Sequence, residues 1–335
     1  MKKIHSRHFT FLKYWSAVVF VIFGFIGGLL YSADISDYIA RKISSDMLPS
    51  QQNFSYIDSD IQKKPVKYVP FELKTSKRIF EEINIDKSIS LSVYVRNLDN
   101  GPWFGIREDD AFAPIRSLKM PIFIAYLKWS EEESGLLDQK ITIEKIADSD
   151  AEKIFIPRNR LKTGQTYSVR ELLEEMMVNS NLTATETLFR KIPHSFLTQV
   201  DTDLGVLLPG EEEFRASISL KEYSSFFRIL YTASYLSPSS SQFALSLLTR
   251  TDFPDGIRKW VPPDIQIANK FGERVYTDKE GVKIYQLHDC GIVYYTPYPY
   301  IACISAKSKN IEKLKYVIGE TSRIIHEEIS AAYKN

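Results

Sequence analysis

The chain has few cysteines and no excess of charge of either sign. Only two cysteines occur in 335 residues, and they form neither a Cys-x-x-Cys pair nor part of a spaced Cys/His set, so we expect no metal site. The 43 basic and 42 acidic residues nearly cancel, which removes the long-range attraction to phosphate that nucleic-acid binders need. We therefore expect no metal, no cofactor and no nucleic-acid partner.

The two cysteines, Cys290 and Cys303, flank a proline-containing turn at 296–299 between two β-rich runs. A hairpin centred on that turn places Cys303 opposite Ile292 and leaves Cys290 diagonal to it, a separation that is long for a disulfide. We therefore expect two free, buried thiols. A one-residue bulge would change this distance, so the state of the pair stays open at this point.

Residues 14–33 contain no charged side chain, and about twenty apolar residues suffice to cross a bilayer. Four basic residues precede this run, so the positive-inside rule predicts a cytoplasmic tail at 1–13 and an extracytoplasmic main domain. The alternative is a cleaved signal peptide. We favour an uncleaved anchor because the run is long and lacks a good small-residue cleavage site.

Residues 34–70 are polar, contain proline and lack periodicity, which predicts a linker between the anchor and a domain at 71–335. Hydrophobic patterns in that domain predict helices over 75–83, 117–129, 169–177, 183–192, 221–230, 242–247 and 311–333, and strands over 88–95, 103–106, 265–275, 287–295 and 300–305. Strands at both ends of a helical middle predict one sheet assembled from distant segments.

Three short motifs follow one another in a familiar order. Residues 116–121 (RSLKMP) are similar to a Ser-x-x-Lys segment that opens a buried helix, 180–182 (SNL) to Ser-Asp-Asn, and 270–272 (KFG) to a Lys-Thr-Gly strand. Over residues 75–333 the chain thus resembles the class A β-lactamase and penicillin-binding family of serine hydrolases. The resemblance implies a mixed α/β (α+β) domain of three layers, with an antiparallel sheet, flanking helices and an all-helical subdomain.

The family's nucleophile is the serine three residues before the lysine, and this position holds Arg116. A guanidinium stays protonated and does not attack a carbonyl as serine does. Ser117 is the nearest hydroxyl, but one helical residue turns it about 100° away from the Lys119 face. Ser117 is therefore a weak candidate for a surrogate nucleophile.

The second motif keeps Ser180, whose hydroxyl would relay a proton in the family. Asn181 stands in place of the aspartate, and Leu182 replaces the carboxamide that would steady the substrate and the lysine. The resemblance therefore implies a partly eroded site.

The third motif keeps Lys270 and Gly272, and a glycine in a strand allows a ligand backbone to approach closely. Phe271 replaces the hydroxyl that would hold a substrate carboxylate. The acidic run 211–213 lacks the local pattern of the family's general base, and we interpret it as a solvated loop.

We therefore expect a membrane-anchored, extracytoplasmic homologue that is catalytically impaired and binds a cell-wall peptide or a protein partner. Lys119, Ser180 and Lys270 are the remnant catalytic positions, and Arg116 and Gly272 are the candidate binding residues. The alternative is an active β-lactamase or penicillin-binding peptidase that uses Ser117 or Ser180. A purely structural domain with a filled cleft is the third possibility.

Overall fold

A computed structural model describes residues 56–57, 72–83, 88–99, 101–112, 119–147, 154–155, 160–205, 218–251 and 253–333. The predicted tail at 1–13, the predicted anchor at 14–33 and most of the predicted linker lie outside these residues. No helix within the described ranges has both the length and the apolar character needed to cross a membrane.

The folded part begins and ends with helices and carries its longest strands near the carboxyl end. Helices are α1 (Glu72–Glu82), α2 (Lys119–Glu132), α3 (Val169–Met177), α4 (Leu182–Lys191), α5 (His194–Asp203), α6 (Leu220–Thr232), α7 (Pro238–Leu248) and α8 (Ile311–Tyr333). Strands are β1 (Ser90–Asn97), β2 (Trp103–Ile106), β3 (Ala111–Phe112), β4 (Lys140–Thr142), β5 (Thr166–Ser168), β6 (Ile218–Ser219), β7 (Ile267–Thr277), β8 (Lys283–Val293) and β9 (Tyr300–Ser308).

Four long strands and the shorter β2 form one antiparallel sheet in the order β2-β1-β9-β8-β7. The first and last strand pairs of the chain are thus joined in the sheet by the pairing of β1 with β9. Two small two-stranded sheets, β3 with β6 and β4 with β5, pair segments that are distant in the chain within the helical part of the domain.

The two faces of the sheet are buried in two separate apolar cores. One core lies between the sheet and helices α2 to α7, and includes Ala268, Ile292 and Ile301 from the strands. The other lies between the sheet and helices α1 and α8, and includes Ile267 and Ile304. The predicted mixed α/β domain with an antiparallel sheet and flanking helices is therefore confirmed, and it has three layers.

Helix α2 is buried nearly all round its first nine residues, as its apolar sequence predicts. Pro121 is tolerated because it lies in the first turn, where the missing N–H has no helical partner to lose. The consequence is that Lys119 starts a helix that runs through the interior, and its side chain is fully buried.

The predicted elements are all present, most of them with shifted ends. Helix α7 begins at Pro238 rather than at residue 242 as predicted, because Ser237 caps it by accepting a hydrogen bond from the Ser240 N–H. Helix α5 and the four short strands were not predicted, because their residues carry no clear periodicity.

The expectation of two free thiols is wrong. In the β8–β9 pair Cys290 lies directly opposite Cys303, with Cα atoms 3.9 Å apart, and a disulfide joins them. The predicted hairpin centre was displaced: Ile292 faces Ile301, so the pairing differs from the predicted one by two residues. The turn is longer on its amino-terminal side than predicted, since β8 ends at Val293, whereas β9 begins at Tyr300 as predicted.

Candidate active site

Three polar side chains from three distant segments meet at one point. The Lys119 Nζ donates a hydrogen bond of 2.9 Å to the Ser180 Oγ, and the Lys270 Nζ donates one of the same length to the same oxygen. Because both amines bond the same oxygen, they lie within twice that distance of each other. Both lysines are fully buried, so the amines are in a water-poor environment. These residues are called the Lys–Ser–Lys cluster below.

Ser180 is presented by a tight connection between α3 and α4. Asn181 caps α4 by accepting a hydrogen bond from the Ala184 N–H, and its own N–H donates to the Glu175 carbonyl. Between these fixed points Ser180 adopts the left-handed conformation, with φ of 54°. A non-glycine residue held in this region costs free energy, and such positions concentrate at functional sites.

The hydroxyl of Ser180 can accept two hydrogen bonds and donate one. It can therefore accept from both amines when both are ammonium ions, or accept from one and donate to the other when that amine is neutral. Two ammonium ions this close repel each other, and the low polarity of the interior strengthens the repulsion. The cluster is therefore stabilised either by losing a proton or by gaining an anion.

Lys270 is the amine that loses its proton more readily than usual. Burial lowers its pKa to about 7, and the opposing attraction of Asp289 and Glu273 is too weak to restore the ordinary value. Its Nζ also donates to the Phe271 carbonyl at 3.1 Å and lies 4.4 Å from the Phe271 ring centroid. Lys270 is therefore divided between the charged and neutral forms near neutral pH.

His288 lies beside the cluster and fills the space above Gly272, its partner across the β7–β8 pair. A Cβ at Gly272 would be 2.3 Å from the His288 Cε1, so only glycine fits there. The imidazole packs edge-on against Tyr223, with ring centroids 5.7 Å apart. Burial, with smaller contributions from Lys270 and Lys119, lowers the pKa of His288 to about 3, so this histidine is neutral.

The opposite face of the same strands carries a second polar group. The Asn269 Nδ2 donates to the Asp289 carboxylate at 3.0 Å, and the Ile257 N–H donates to it at 2.9 Å. Gly256 allows this approach, because a Cβ there would lie 1.9 Å from the Asp289 Oδ2. Burial raises the pKa of Asp289 to about 6, opposed by these hydrogen bonds and by Lys270 and Arg258.

The structure brings together three of the predicted site residues, Lys119, Ser180 and Lys270. Gly272 is on the same face of β7 as Lys270, but its missing side chain makes room for His288, and a ligand-binding role for it stays a prediction. Arg116 and Ser117 lie outside the described residues, as does the acidic run 211–213.

His288 was not among the predicted site residues. The position of this histidine was predictable only in part from the sequence. Alternation along β8 places it on one face with Cys290, but only the pairing with β7 puts it over Gly272. Within the described ranges, no three His, Cys, Asp or Glu side chains are grouped as ligands for a metal ion.

The structure has an antiparallel sheet between two helical layers. A serine hydroxyl lies between two lysines on the side of the sheet that faces α2 to α7, which we call the helical side. This arrangement defines a β-lactamase-like serine hydrolase domain. The sequence profile of the β-lactamase enzyme family matches residues 74–329, so the chain belongs to this family. A comparison with curated protein sequences finds no significant match.

Solved structures similar to this chain have the same fold at low sequence identity. PBP-A is 20% identical with a TM-score of 0.66, covering 80% of this chain and 99% of its own. A β-lactamase from Chitinophaga pinensis is 20% identical with a TM-score of 0.66, covering 76% and 99%. A variant of PBP-A is described as an acyl-enzyme complex with penicillin G. At these identities the likeness shows the fold alone.

Proposed function

We propose that this protein is an exported, membrane-anchored member of the β-lactamase enzyme family that binds a carboxylate of a cell-wall peptide without hydrolysing it. The observation that carries the proposal is the Lys–Ser–Lys cluster, in which two buried amines share one hydroxyl. Burying two like charges side by side is costly, and an incoming carboxylate would offset that cost with charge-assisted hydrogen bonds.

The residue three positions before Lys119 is the reason why we expect no hydrolysis. Acyl transfer in this family needs a hydroxyl there, on the same helical face as the lysine amine. Arg116 provides a permanent cation and no nucleophilic oxygen. The proposed site therefore keeps its binding groups and lacks the group that would form a covalent bond.

The protonation of Lys270 makes the proposed binding detectable by proton uptake. Without ligand its pKa is about 7, and a carboxylate beside the amine favours the charged form and raises that pKa. Binding near neutral pH should therefore be accompanied by uptake of protons. The affinity should fall as the pH rises above about 7, because the neutral amine attracts the anion less.

Export of the domain is supported by two independent features. The apolar run at 14–33, preceded by basic residues, has the length and orientation signal of a membrane anchor. The disulfide between Cys290 and Cys303 is typical of oxidising compartments outside the cytosol. A cell-wall peptide is available only on that side of the membrane.

The first experiment is intact-mass analysis of the full chain after incubation with a penicillin. We expect no adduct on the unmodified protein. We expect an adduct on the Arg116→Ser variant, because the substitution restores the hydroxyl to the position that Lys119 serves. An adduct on the unmodified protein would overturn the absence of hydrolytic chemistry.

The matched control is Arg116→Ala, which removes the guanidinium without adding a hydroxyl and should form no adduct. If Arg116→Ala and Arg116→Ser both fail to react, the site has lost more than its nucleophile, and a protein partner becomes the better proposal. Peptide mapping of any adduct identifies the acylated serine.

The second experiment is calorimetric titration of the full chain with an acyl-D-alanyl-D-alanine peptide at pH 6.5 in two buffers of different ionisation enthalpy. Proton uptake appears as a difference in measured heat between the buffers. The variant Lys270→Met should lose both the binding and this difference. Binding that survives in Lys270→Met would place the peptide elsewhere on the protein.

The second candidate is an active serine hydrolase in which Ser180 is the nucleophile. A specific observation favours it: the Ser180 Oγ is 2.9 Å from the Lys270 Nζ, and an amine with a pKa of about 7 can take up the hydroxyl proton. In that case the unmodified protein would form a penicillin adduct that maps to Ser180 and disappears in Ser180→Ala. An adduct that maps to Ser117 would identify the surrogate nucleophile instead.

A further inference from the structure

Two residues from the predicted linker lie against the folded domain. The Tyr56 N–H donates a hydrogen bond of 2.8 Å to the Gln242 Oε1, and the Tyr56 carbonyl accepts one of 3.0 Å from the Tyr294 hydroxyl. Both polar groups of one backbone residue are thus held by side chains of the domain. We call Gln242 and Tyr294 the backbone clamp.

Aromatic packing strengthens this attachment. The Tyr56 ring packs edge-on against Tyr294, with centroids 5.4 Å apart, and Tyr294 in turn contacts Tyr231 at 6.3 Å. Tyr56 and Ile57 both pack against the core on the helical side of the sheet. The contact therefore combines apolar burial with two directed hydrogen bonds.

The two clamp residues, and the Tyr231 ring that contacts Tyr294, lie in three separate parts of the fold. Tyr231 lies on α6, Gln242 on α7, and Tyr294 directly follows β8. The Tyr294 side chain is almost completely buried, and a buried phenol hydroxyl needs a partner. The Tyr56 carbonyl supplies that partner, so removing the linker would leave a buried hydroxyl with one hydrogen bond fewer.

We propose that the backbone clamp is a docking site for this chain's own linker, which fastens the linker to the domain at Tyr56. Gln242 and Tyr294 bind backbone atoms, while the Tyr294 ring and the core receive the side chains of Tyr56 and Ile57. The docked point at 56–57 then divides the predicted linker into a segment at 34–55 and a segment at 58–70.

The docking limits how far the domain can stand from the membrane, a consequence that rests on the proposed anchor at 14–33. Residues 34–55 are the part of the chain between that anchor and the docked point. Fully extended, they span at most about 75 Å. The docking itself is independent of the anchor and of the proposed ligand, so it is tested separately.

The test is hydrogen exchange of the full chain in detergent micelles, read on a short peptide that contains Tyr56. In the unmodified protein the Tyr56 amide should exchange at least about tenfold more slowly than an unstructured amide. Gln242→Ala should remove that protection, because the amide loses its acceptor. Exchange at the unstructured rate in the unmodified protein would overturn the proposal.

Chymotrypsin cleavage after Tyr56 provides a second reading. Tyr294→Phe removes the hydroxyl that holds the Tyr56 carbonyl and should speed cleavage there by about fivefold. The matched controls are Gln199→Ala and Tyr316→Phe, which change exposed side chains on α5 and α8 and should leave both readings unchanged. Slow exchange in β9 in every variant shows that the fold is intact. Equal cleavage rates in Tyr294→Phe and in the unmodified protein would contradict the proposal.

Discussion

The two faces of strand β7 differ in how their buried polar groups are satisfied. On the helical side, Lys270 shares one serine hydroxyl with another lysine, and no carboxylate is hydrogen-bonded to its amine among the described residues. On the side of α1 and α8, Asn269 donates to the Asp289 carboxylate, which also accepts from the Ile257 N–H. The first arrangement concentrates positive charge, whereas the second surrounds a carboxylate with donors.

The comparison explains one of the departures from the family motif. Phe271 stands where the family has a hydroxyl, and it lies on the α1 and α8 side of the sheet. Its ring is stacked on Phe253 with centroids 4.4 Å apart and meets Phe155 edge-on at 5.4 Å. The substitution has turned this position into core packing, while the lysine next to it keeps its polar environment. Aromatic core packing and the Lys–Ser–Lys cluster therefore lie on opposite faces of one strand.

The largest expected effect is on the α1 and α8 side. Asp289→Ala removes the acceptor of two buried donors and leaves a cavity, so it should lower the free energy of unfolding by about 4 kcal/mol. Chemical denaturation measures the loss. Asp289→Asn keeps an oxygen acceptor for the Ile257 N–H, so it should lose less than half as much. Equal losses in the two variants would show that the hydrogen bonds of Asp289 contribute little.

The pH dependence of stability tests the helical side. The pKa of Lys270 is about 7 in the folded state and 10.5 ordinarily, so between these values the unfolded chain binds the additional proton. The free energy of unfolding should therefore rise with pH, by about 3 kcal/mol from pH 7 to 9.5. The rise should be absent in Lys270→Met, which should also be more stable than the unmodified protein at pH 6.5.

The difference between the two proteins, measured by urea denaturation at each pH, isolates the contribution of Lys270 from those of other groups. A difference that does not change with pH would mean that the buried amine keeps its proton throughout. The two faces would then not differ as described, because burying the charged Lys270 amine on the helical side would not lower the free energy of unfolding.

The disulfide joins the strand next to Lys270 with β9 on the helical side of the sheet. Cys290 pairs with Lys270 across the β7–β8 ladder, so the crosslink fixes the strand that supports the cluster. Replacing both cysteines with alanine should lower the free energy of unfolding by about 2–3 kcal/mol. Thiol alkylation of the denatured, unreduced protein should give no mass increase, and labelling of two thiols would contradict the disulfide.

The smallest effect concerns the packing of His288 on Gly272. Gly272→Ala places a Cβ against the imidazole, so we expect a loss of about 1.5 kcal/mol in unfolding free energy. In a His288→Ala background the same substitution should cost little, because the opposing ring is absent. The matched control is Gly319→Ala in α8, where the added Cβ meets the flexible Lys259 side chain and the exposed Trp260 ring, both of which can move, and helix propensity improves. Additive losses in the double variant would show that His288 does not fill that space.

Much of the fold was predictable because its helices and strands have strong local patterns. Helices over 169–177 and 311–333 and the strand over 103–106 begin and end where predicted. The candidate site was predictable in part, since the three sequence motifs and their order identify Lys119, Ser180 and Lys270. The short connection that strains Ser180 and the cap at Asn181 depend on how α3 and α4 are packed, which no local pattern contains.

The sequence by itself determined the residues of the three motifs, the arginine at position 116 and the division of the domain into two strand-containing parts with a helical segment between them. Only the tertiary structure decided the pairing of Cys290 with Cys303, the position of His288 over Gly272 and the attachment of Tyr56 to Gln242 and Tyr294. Alternation along a strand tells which residues share a face, but register and layer contacts are set by segments far apart in the chain, whose pairing depends on the packing of the whole domain.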